Sequence, residues 1–256
     1  MIVLGGVDLT LGERQVLKDI SFEVKPGNTL VILGGSGSGK TTILRVILGL
    51  YRPDGGVVSI DSQDISRLRE QDLPDVRRRM AMVFQSAALF DSLTVRENVG
   101  YRLWEQGRLS DEAITRIVEE SLRFVGLHDM IDKMPAELSG GMRKRVGIAR
   151  ALASGATILL YDEPTAGFDP INTCLINRLI LQLKQKGVTQ IVVTHDLETA
   201  HRVADRILMI DHGRIVFDGT PEGLQQSEHP AVRRFLDPGA FGSETDLYWK
   251  PASPKA

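Results

Sequence analysis

The chain has 256 residues, enough for one large α/β domain or two small ones, with 42% hydrophobic and 25% charged residues, ordinary for a globular protein. A formal net charge of -2 argues against a surface built to coat nucleic acid. The single cysteine, Cys174, leaves no intrachain disulfide and fits a reducing compartment; no run approaches the ~20 apolar residues of a bilayer span, and Met1-Ile2-Val3-Leu4 does not read as a signal peptide.

Residues 2 to 33 read as short strands. Val7-Asp8-Leu9-Thr10-Leu11 and Ile20-Ser21-Phe22-Glu23-Val24 alternate, Gly12-Glu13-Arg14 offers a turn, and Pro26-Gly27 a break. The apolar run Thr29-Leu30-Val31-Ile32-Leu33 then leads into Gly34-Gly35-Ser36-Gly37-Ser38-Gly39-Lys40-Thr41, and Thr42 to Gly49 continue as a helix. Strand, glycine-rich loop and helix in that order make a phosphate-binding P-loop. Glycines let successive backbone N–H groups turn toward a polyphosphate, and the positive end of the helix points at the same place. Lys40 adds a mobile charge for the β- and γ-phosphates, and Thr41 a hydroxyl suited to Mg²⁺. Thr42 joins this loop in the expected phosphate-binding set.

Pro53-Asp54-Gly55-Gly56 reads as a loop and Val57-Val58-Ser59-Ile60-Asp61 as a strand. Arg67 to Arg79 reads as a loop and a solvated helix with a boundary at Pro74, and Arg77-Arg78-Arg79 as an exposed face rather than a nucleic-acid site. Met80-Ala81-Met82-Val83-Phe84 is short and apolar, consistent with a buried strand ending at Gln85. Residues 94 to 153 look helical. Ser110 starts one helix, whose face carries Ile114, Ile117, Val118, Ser121, Leu122 and Val125 before Gly126. Ser139 starts another, with basic side chains at Arg143, Lys144 and Arg145 and apolar ones at Val146, Ile148, Ala149 and Leu152.

Strands resume at Thr157 to Tyr161 and Gln190 to Thr194, with helical spacing of Leu175, Leu179, Ile180 and Leu183 between them. Arg206 to Ile210 and Arg214 to Phe217 flank Asp211-His212-Gly213 as a hairpin. Strand-rich sequence thus encloses a helical insert. Residues 237–256 lose all periodicity and read as a tail.

Asp162-Glu163 directly follows a buried strand. A carboxylate there is placed to hold Mg²⁺ beside the P-loop, and Glu163 to take a proton from water attacking a γ-phosphate. Such a pair alone is usually a solvated turn; the P-loop reverses that expectation. Ser139, Gly140 and Gly141 open a helix with several free N–H groups, either a capped start or a second anion site. His195 ends the next strand.

With Gln85, Leu138-Ser139-Gly140-Gly141-Met142, Asp162-Glu163, Ala166-Gly167-Phe168-Asp169 and His195 in this order, residues 2 to 223 resemble the ATP-binding-cassette (ABC) ATPases. The resemblance implies an α/β fold: a P-loop NTPase with a RecA-like core, an antiparallel β-subdomain and a helical subdomain inserted at about 86–153, within a domain of residues 1–236. It implies ATP and Mg²⁺ as cofactors, with Lys40, Gln85, Glu163 and His195 catalytic. Thr41, Gln85 and Asp162 would serve the metal, and Ser139, Gly140, Gly141 and Asp169 the nucleotide. In this family two cassettes stack head to tail, so Ser139 and Gly141 would meet the γ-phosphate held by Lys40 of a second copy. Many members carry an aromatic residue against adenine where this chain has Leu11, which leaves the adenine contacts open. The signature ends in Met142 where Gln is usual.

Phe84 to Val99 and Leu138 to Arg145 look like the ATPases of Mla/Mce lipid transporters, as does His229-Pro230-Ala231-Val232-Arg233-Arg234-Phe235-Leu236. That similarity implies an integral membrane permease, a periplasmic MCE-domain lipid-binding protein and a small STAS-domain protein as partners, and no nucleic acid. It implies a place on the cytoplasmic face of a bacterial inner membrane. The alternatives are the ATPase of an amino-acid importer and a non-transport ABC ATPase. Leu247, Tyr248 and Trp249 in the tail are either disordered or a partner anchor.

Overall fold

The first strand extends further than its alternating pattern indicates. In a computed structural model, which describes residues 1–237 and 239, β1 (Ile2–Leu11) and β2 (Arg14–Val24) pair antiparallel along their whole length. Register shifts between Leu4 and Val7 and between Val7 and Leu9 move the buried set from Ile2 and Leu4 to Val7 and Leu9. Such bulges break the two-residue period and hide the first half of the strand from a pattern search.

β3 (Thr29–Leu33) is buried throughout and runs through the glycine loop into α1 (Lys40–Ile47). β4 (Gly55–Ile60) returns antiparallel to β1 and β5 (Gln63–Asp64) adds an edge, giving a four-stranded sheet in the order β2-β1-β4-β5. A short turn leads to α2 (Pro74–Arg77) and β6 (Met80–Val83). The arginine run between them is only partly a solvated face. Arg77 donates to Leu48 O at 3.0 Å and Gly49 O at 3.2 Å and pairs with Glu70. Arg79 bonds Asp61 at 3.1 Å and Gln63 at 3.0 Å. Arg78 is exposed, as expected of the whole run.

The insert supplies α3 (Val95–Gln106), α4 (Asp111–Phe124) and α5 (Gly140–Ala153), capped by Thr94, Ser110 and Ser139 through hydroxyls that accept from the N3 amide. The expected face of α4 is the buried one: Ile114, Val118, Ser121 and Leu122. Buried Asn98 pins the entry to α3, accepting from Phe90 N and donating to the carbonyls of Phe90, Leu93 and Thr94 at 2.8–3.0 Å.

β7 (Ile158–Asp162), α6 (Pro170–Gln185), β8 (Thr189–Thr194), α7 (Leu197–Val203), β9 (Arg206–Asp211), β10 (Arg214–Gly219), α8 (Pro221–Gln226) and α9 (Pro230–Leu236) complete the described chain. The large sheet has the order β10-β9-β3-β8-β7-β6, with β10 antiparallel to β9 and every other neighbour pair parallel. Its two faces divide the core. Leu30, Ile32, Leu160 and Ile191 pack toward α1 and the antiparallel sheet. Val31, Leu33, Tyr161 and Val192 pack toward the insert and α6. No described helix is long and apolar enough to cross a membrane. The tail beyond residue 239, with Leu247, Tyr248 and Trp249, lies outside the described residues.

β3, β8 and β7 are also bound through side chains. Tyr161, fully buried, donates its hydroxyl to Gln190 Oε1 at 2.8 Å. Gln190 donates to Thr29 Oγ1 at 3.2 Å and to Ile180 O at 2.9 Å. A buried polar atom stripped of its partner bears its full desolvation cost, so Tyr161→Phe should lower the unfolding free energy by about 1–3 kcal/mol. Chemical denaturation measures this; an unchanged midpoint would exclude the network as a stabilising element.

Candidate functional site

Parallel strands deliver their C-terminal ends to one side of a sheet. Leu33 pairs with Thr194 and Val193 with Asp162, so the P-loop, His195 and the Asp162-Glu163 pair leave the sheet side by side. Gln85 follows β6, whose Val83 pairs with Tyr161 at the same end. A crevice at the carboxyl ends of such strands is where open α/β sheets take ligands.

The loop's glycines have separate tasks. A Cβ on Gly34 would stand 2.4 Å from Ile210 O, so the loop leaves β3 pressed against β9. Gly39 has φ 110 as the N-cap of α1 and supplies no side chain to its first turn. Neither a side-chain cap nor an acidic residue occupies that turn, so its N–H groups remain open to an anion. Thr42 lies in this turn beside Lys40 and Thr41.

Lys40 is folded back onto its own loop, donating to Gly34 O at 2.8 Å and Gly35 O at 3.0 Å. Its Nζ lies 3.8 Å from Glu163 Oε1. Burial lowers its proton affinity, and Glu163 and Asp162 hold the charge in place against that. Glu163 is gripped by Thr194 Oγ1, which donates to Oε2 at 3.2 Å, and by His195 Nδ1, 3.0 Å from the same oxygen. His195 is otherwise open, with 62% of its side chain exposed. Lys40, Glu163 and His195 therefore form one contiguous group at the mouth of the loop.

Thr41 donates its hydroxyl to Asp162 Oδ1 at 2.8 Å, joining residues 121 apart in sequence. A hydroxyl and a carboxylate, both hard oxygen donors, meeting beside a phosphate loop suit Mg²⁺, which keeps few protein ligands and takes waters and phosphate oxygens for the rest. The donor set fits that ion. Gln85 is exposed and makes no hydrogen bond to Thr41 or Asp162 among the described contacts, so its expected metal role is not preformed.

Ser139, Gly140 and Gly141 share no described hydrogen bond with the loop. The Ser139 hydroxyl accepts from Met142 N at 3.2 Å, and Gly141 packs against Asn172, where a Cβ would stand 2.8 Å from Oδ1. Asp169 caps α6, accepting from Ile171 N and Asn172 N at 2.9 and 3.0 Å. Gly141 thus stands against the segment after β7, and among the described hydrogen bonds and ion pairs none joins the signature to Lys40.

Three basic residues join this framework without a sequence signal. Arg14, on the hairpin with Leu11, donates to Gly37 O at 3.3 Å. Arg150 donates to Ala88 O and Ala87 O at 2.8 and 2.9 Å, holding two residues with φ 63 and 46 just past Gln85. Lys144 is buried against the chain after Glu163. Each bonds backbone carbonyls, which no residue pattern betrays.

Asp162 yields a prediction. Burial raises its pKa, opposed by the Thr41 hydrogen bond. A carboxyl with a raised folded pKa favours folding in its protonated form, so its cost to folding grows as pH rises above the ordinary value and is complete above the folded one. Asp162→Asn should therefore melt above the unsubstituted protein at pH 7 without nucleotide. The gap should close as pH falls toward 3.8, the ordinary value. Melting curves across pH test this, and a variant of lower stability at pH 7 would contradict it.

Comparison with known proteins agrees with this geometry. Residues 17–166 match the family model described as ABC transporter. The chain is 40% identical over 226 residues to the intermembrane phospholipid transport system ATP-binding protein MlaF of Haemophilus influenzae, covering 88% of this chain and 86% of that one. It is equally 40% identical to the L-cystine import ATP-binding protein TcyN of Bacillus subtilis, over 92% of each. The dimeric ATP-binding cassette MJ0796, solved in a post-hydrolysis state with ADP and Pi, superposes with a TM-score of 0.79 at 33% identity, over 86% of this chain and 99% of that one. With phosphate loop, paired carboxylates and histidine at one sheet edge, the chain belongs to the ABC transporter family as an ATP-hydrolysing, ATP-binding cassette.

Proposed function

We propose that this cassette drives a transporter moving phospholipids or related lipids between bacterial membranes, from the cytoplasmic face of the inner membrane. Hydrolysis itself rests on one observation: Thr41 already bonds Asp162, while the adjacent Glu163 stands between Lys40 and His195.

The γ-phosphate would draw Lys40 Nζ off Gly34 O and Gly35 O, while the open N–H groups of α1 take the remaining phosphate oxygens. Thr41 and Asp162 would hold Mg²⁺, which when bound would supply positive charge against the phosphates. Glu163 would take the proton of the attacking water as the bond to phosphorus forms and ADP leaves, with His195 steadying the carboxylate and the γ-phosphate. Gln85 would report the phosphate state to the insert. Because no described hydrogen bond or ion pair joins Ser139 or Gly141 to Lys40 within one chain, a second copy is proposed to supply them, head to tail.

Lipid as cargo is supported by the likeness of Phe84 to Val99 and Leu138 to Arg145 to Mla/Mce ATPases. MlaF by its name serves phospholipid transport. An amino-acid importer is the second reading, favoured by the equal identity to TcyN. The permease is proposed to dock a cytoplasmic helix in the groove lined by Leu50, Met82, Phe84, Phe90, Tyr101 and Arg102, beside Gln85. Phe84, Phe90, Tyr101 and Leu50 are exposed there, and apolar surface next to the phosphate-reporting segment suits a helix that must sense it. MCE-domain and STAS-domain proteins complete the proposed assembly.

Glu163→Gln should bind ATP with Mg²⁺, form a stable dimer and hydrolyse at least about a hundredfold more slowly. Rapid turnover by that variant would remove Glu163 as the base. Purification from native membranes should bring down a permease with bound phospholipid; an amino-acid permease in its place would favour the second reading.

A further inference from the structure

Lys144 is a buried charge that the reaction above does not use. It lies on α5, the helix that begins at the signature, and is 5% exposed. Its Nζ donates to Pro164 O at 3.0 Å and to Glu163 O and Ala166 O at 3.2 Å each. The ammonium also stands 4.4 Å from the centroid of the Phe168 ring. Three carbonyl dipoles and an aromatic face receive the charge that burial removes from water. Burial lowers the proton affinity of the amine, and the nearby Glu163 carboxylate partly restores it.

The carbonyls belong to a backbone that needs holding. Glu163 has φ 49, the left-handed region that side-chain-bearing residues rarely enter. It also precedes Pro164, whose ring pushes the residue before it toward extended backbone. Conformations of this kind persist only where surrounding contacts over-determine them. On one side, Glu163 N donates to Val193 O at 2.9 Å, tying it to β8. On the other, Lys144 gathers the carbonyls of residues 163, 164 and 166 onto one point. Thr194 and His195 hold the carboxylate, so the main-chain anchors set where those oxygens start.

We infer that Lys144 is a positioning residue for hydrolysis: by clasping these three carbonyls it fixes the strained backbone of Glu163 and so aims the catalytic carboxylate. Its hydrogen bonds go to main-chain carbonyls, and none goes to Lys40, Thr41 or Asp162. Its loss should therefore lower the rate of the chemical step and leave ATP binding alone, because misplacing a catalytic group costs rate steeply. A lysine that only filled space or stiffened the fold would change the melting temperature and leave turnover per folded molecule untouched.

The test compares Lys144→Met, of similar length with no donor, and Lys144→Gln, which keeps two N–H donors without the charge. For each, kcat, equilibrium affinity for ATP with Mg²⁺, the melting temperature and amide exchange over residues 165–168 are measured on the full chain. The Met variant should keep ATP affinity within about twofold and lose about ten- to a hundredfold in kcat. Gln should fall between Met and the unsubstituted protein, and both should exchange faster over that segment. Unsubstituted turnover by either variant would overturn the inference, as would a loss of ATP affinity matching the loss of kcat. If Met fails to fold, the Gln variant decides by the same criteria.

Discussion

The structure depends on the parallel pairing of β3, β8 and β7. Their register brings Leu33, Thr194 and Asp162 to one edge, so a glycine loop, a histidine and two carboxylates meet although they come from residues 34 to 195. Burial on both faces makes the arrangement stiff. Val31 and Leu33 face the insert, Leu30 and Ile32 face α1 and the antiparallel sheet, and Tyr161, Gln190 and Thr29 cross-link the three strands. Without that frame the Thr41–Asp162 contact across 121 residues would not form.

Electrostatics then prepare the edge for a phosphate. Lys40 has been taken from water and rests on carbonyls of its own loop, within reach of Glu163. Burial raises the pKa of Asp162, against the Thr41 hydrogen bond that favours its charged form. Such groups gain when a polyphosphate and a divalent cation arrive, because the incoming charges answer those already desolvated. The site is strained in favour of its ligands.

Much of this was legible in the sequence, since the chemistry requires particular residues at fixed spacing. Glycines, Lys40 and Thr41 between a strand and a helix can hardly be read otherwise, and the parallel strands announce themselves as short apolar runs. β1 was half hidden because its bulges reverse the alternation. The basic residues were hidden more deeply. Arg77 and Lys144 sit in basic runs and Arg150 among small apolar residues, yet each reaches backbone carbonyls elsewhere in the chain. A carbonyl is common to every residue, so no pattern marks the partner.

The central claim is that this edge is half of a site, completed by the signature of a second copy. The most direct measurement is a structure of Glu163→Gln with ATP and Mg²⁺. The account predicts two nucleotides, each lying between Lys40 of one chain and Ser139 and Gly141 of the other. A nucleotide contacted by one chain alone, with both signatures facing solvent, would contradict it.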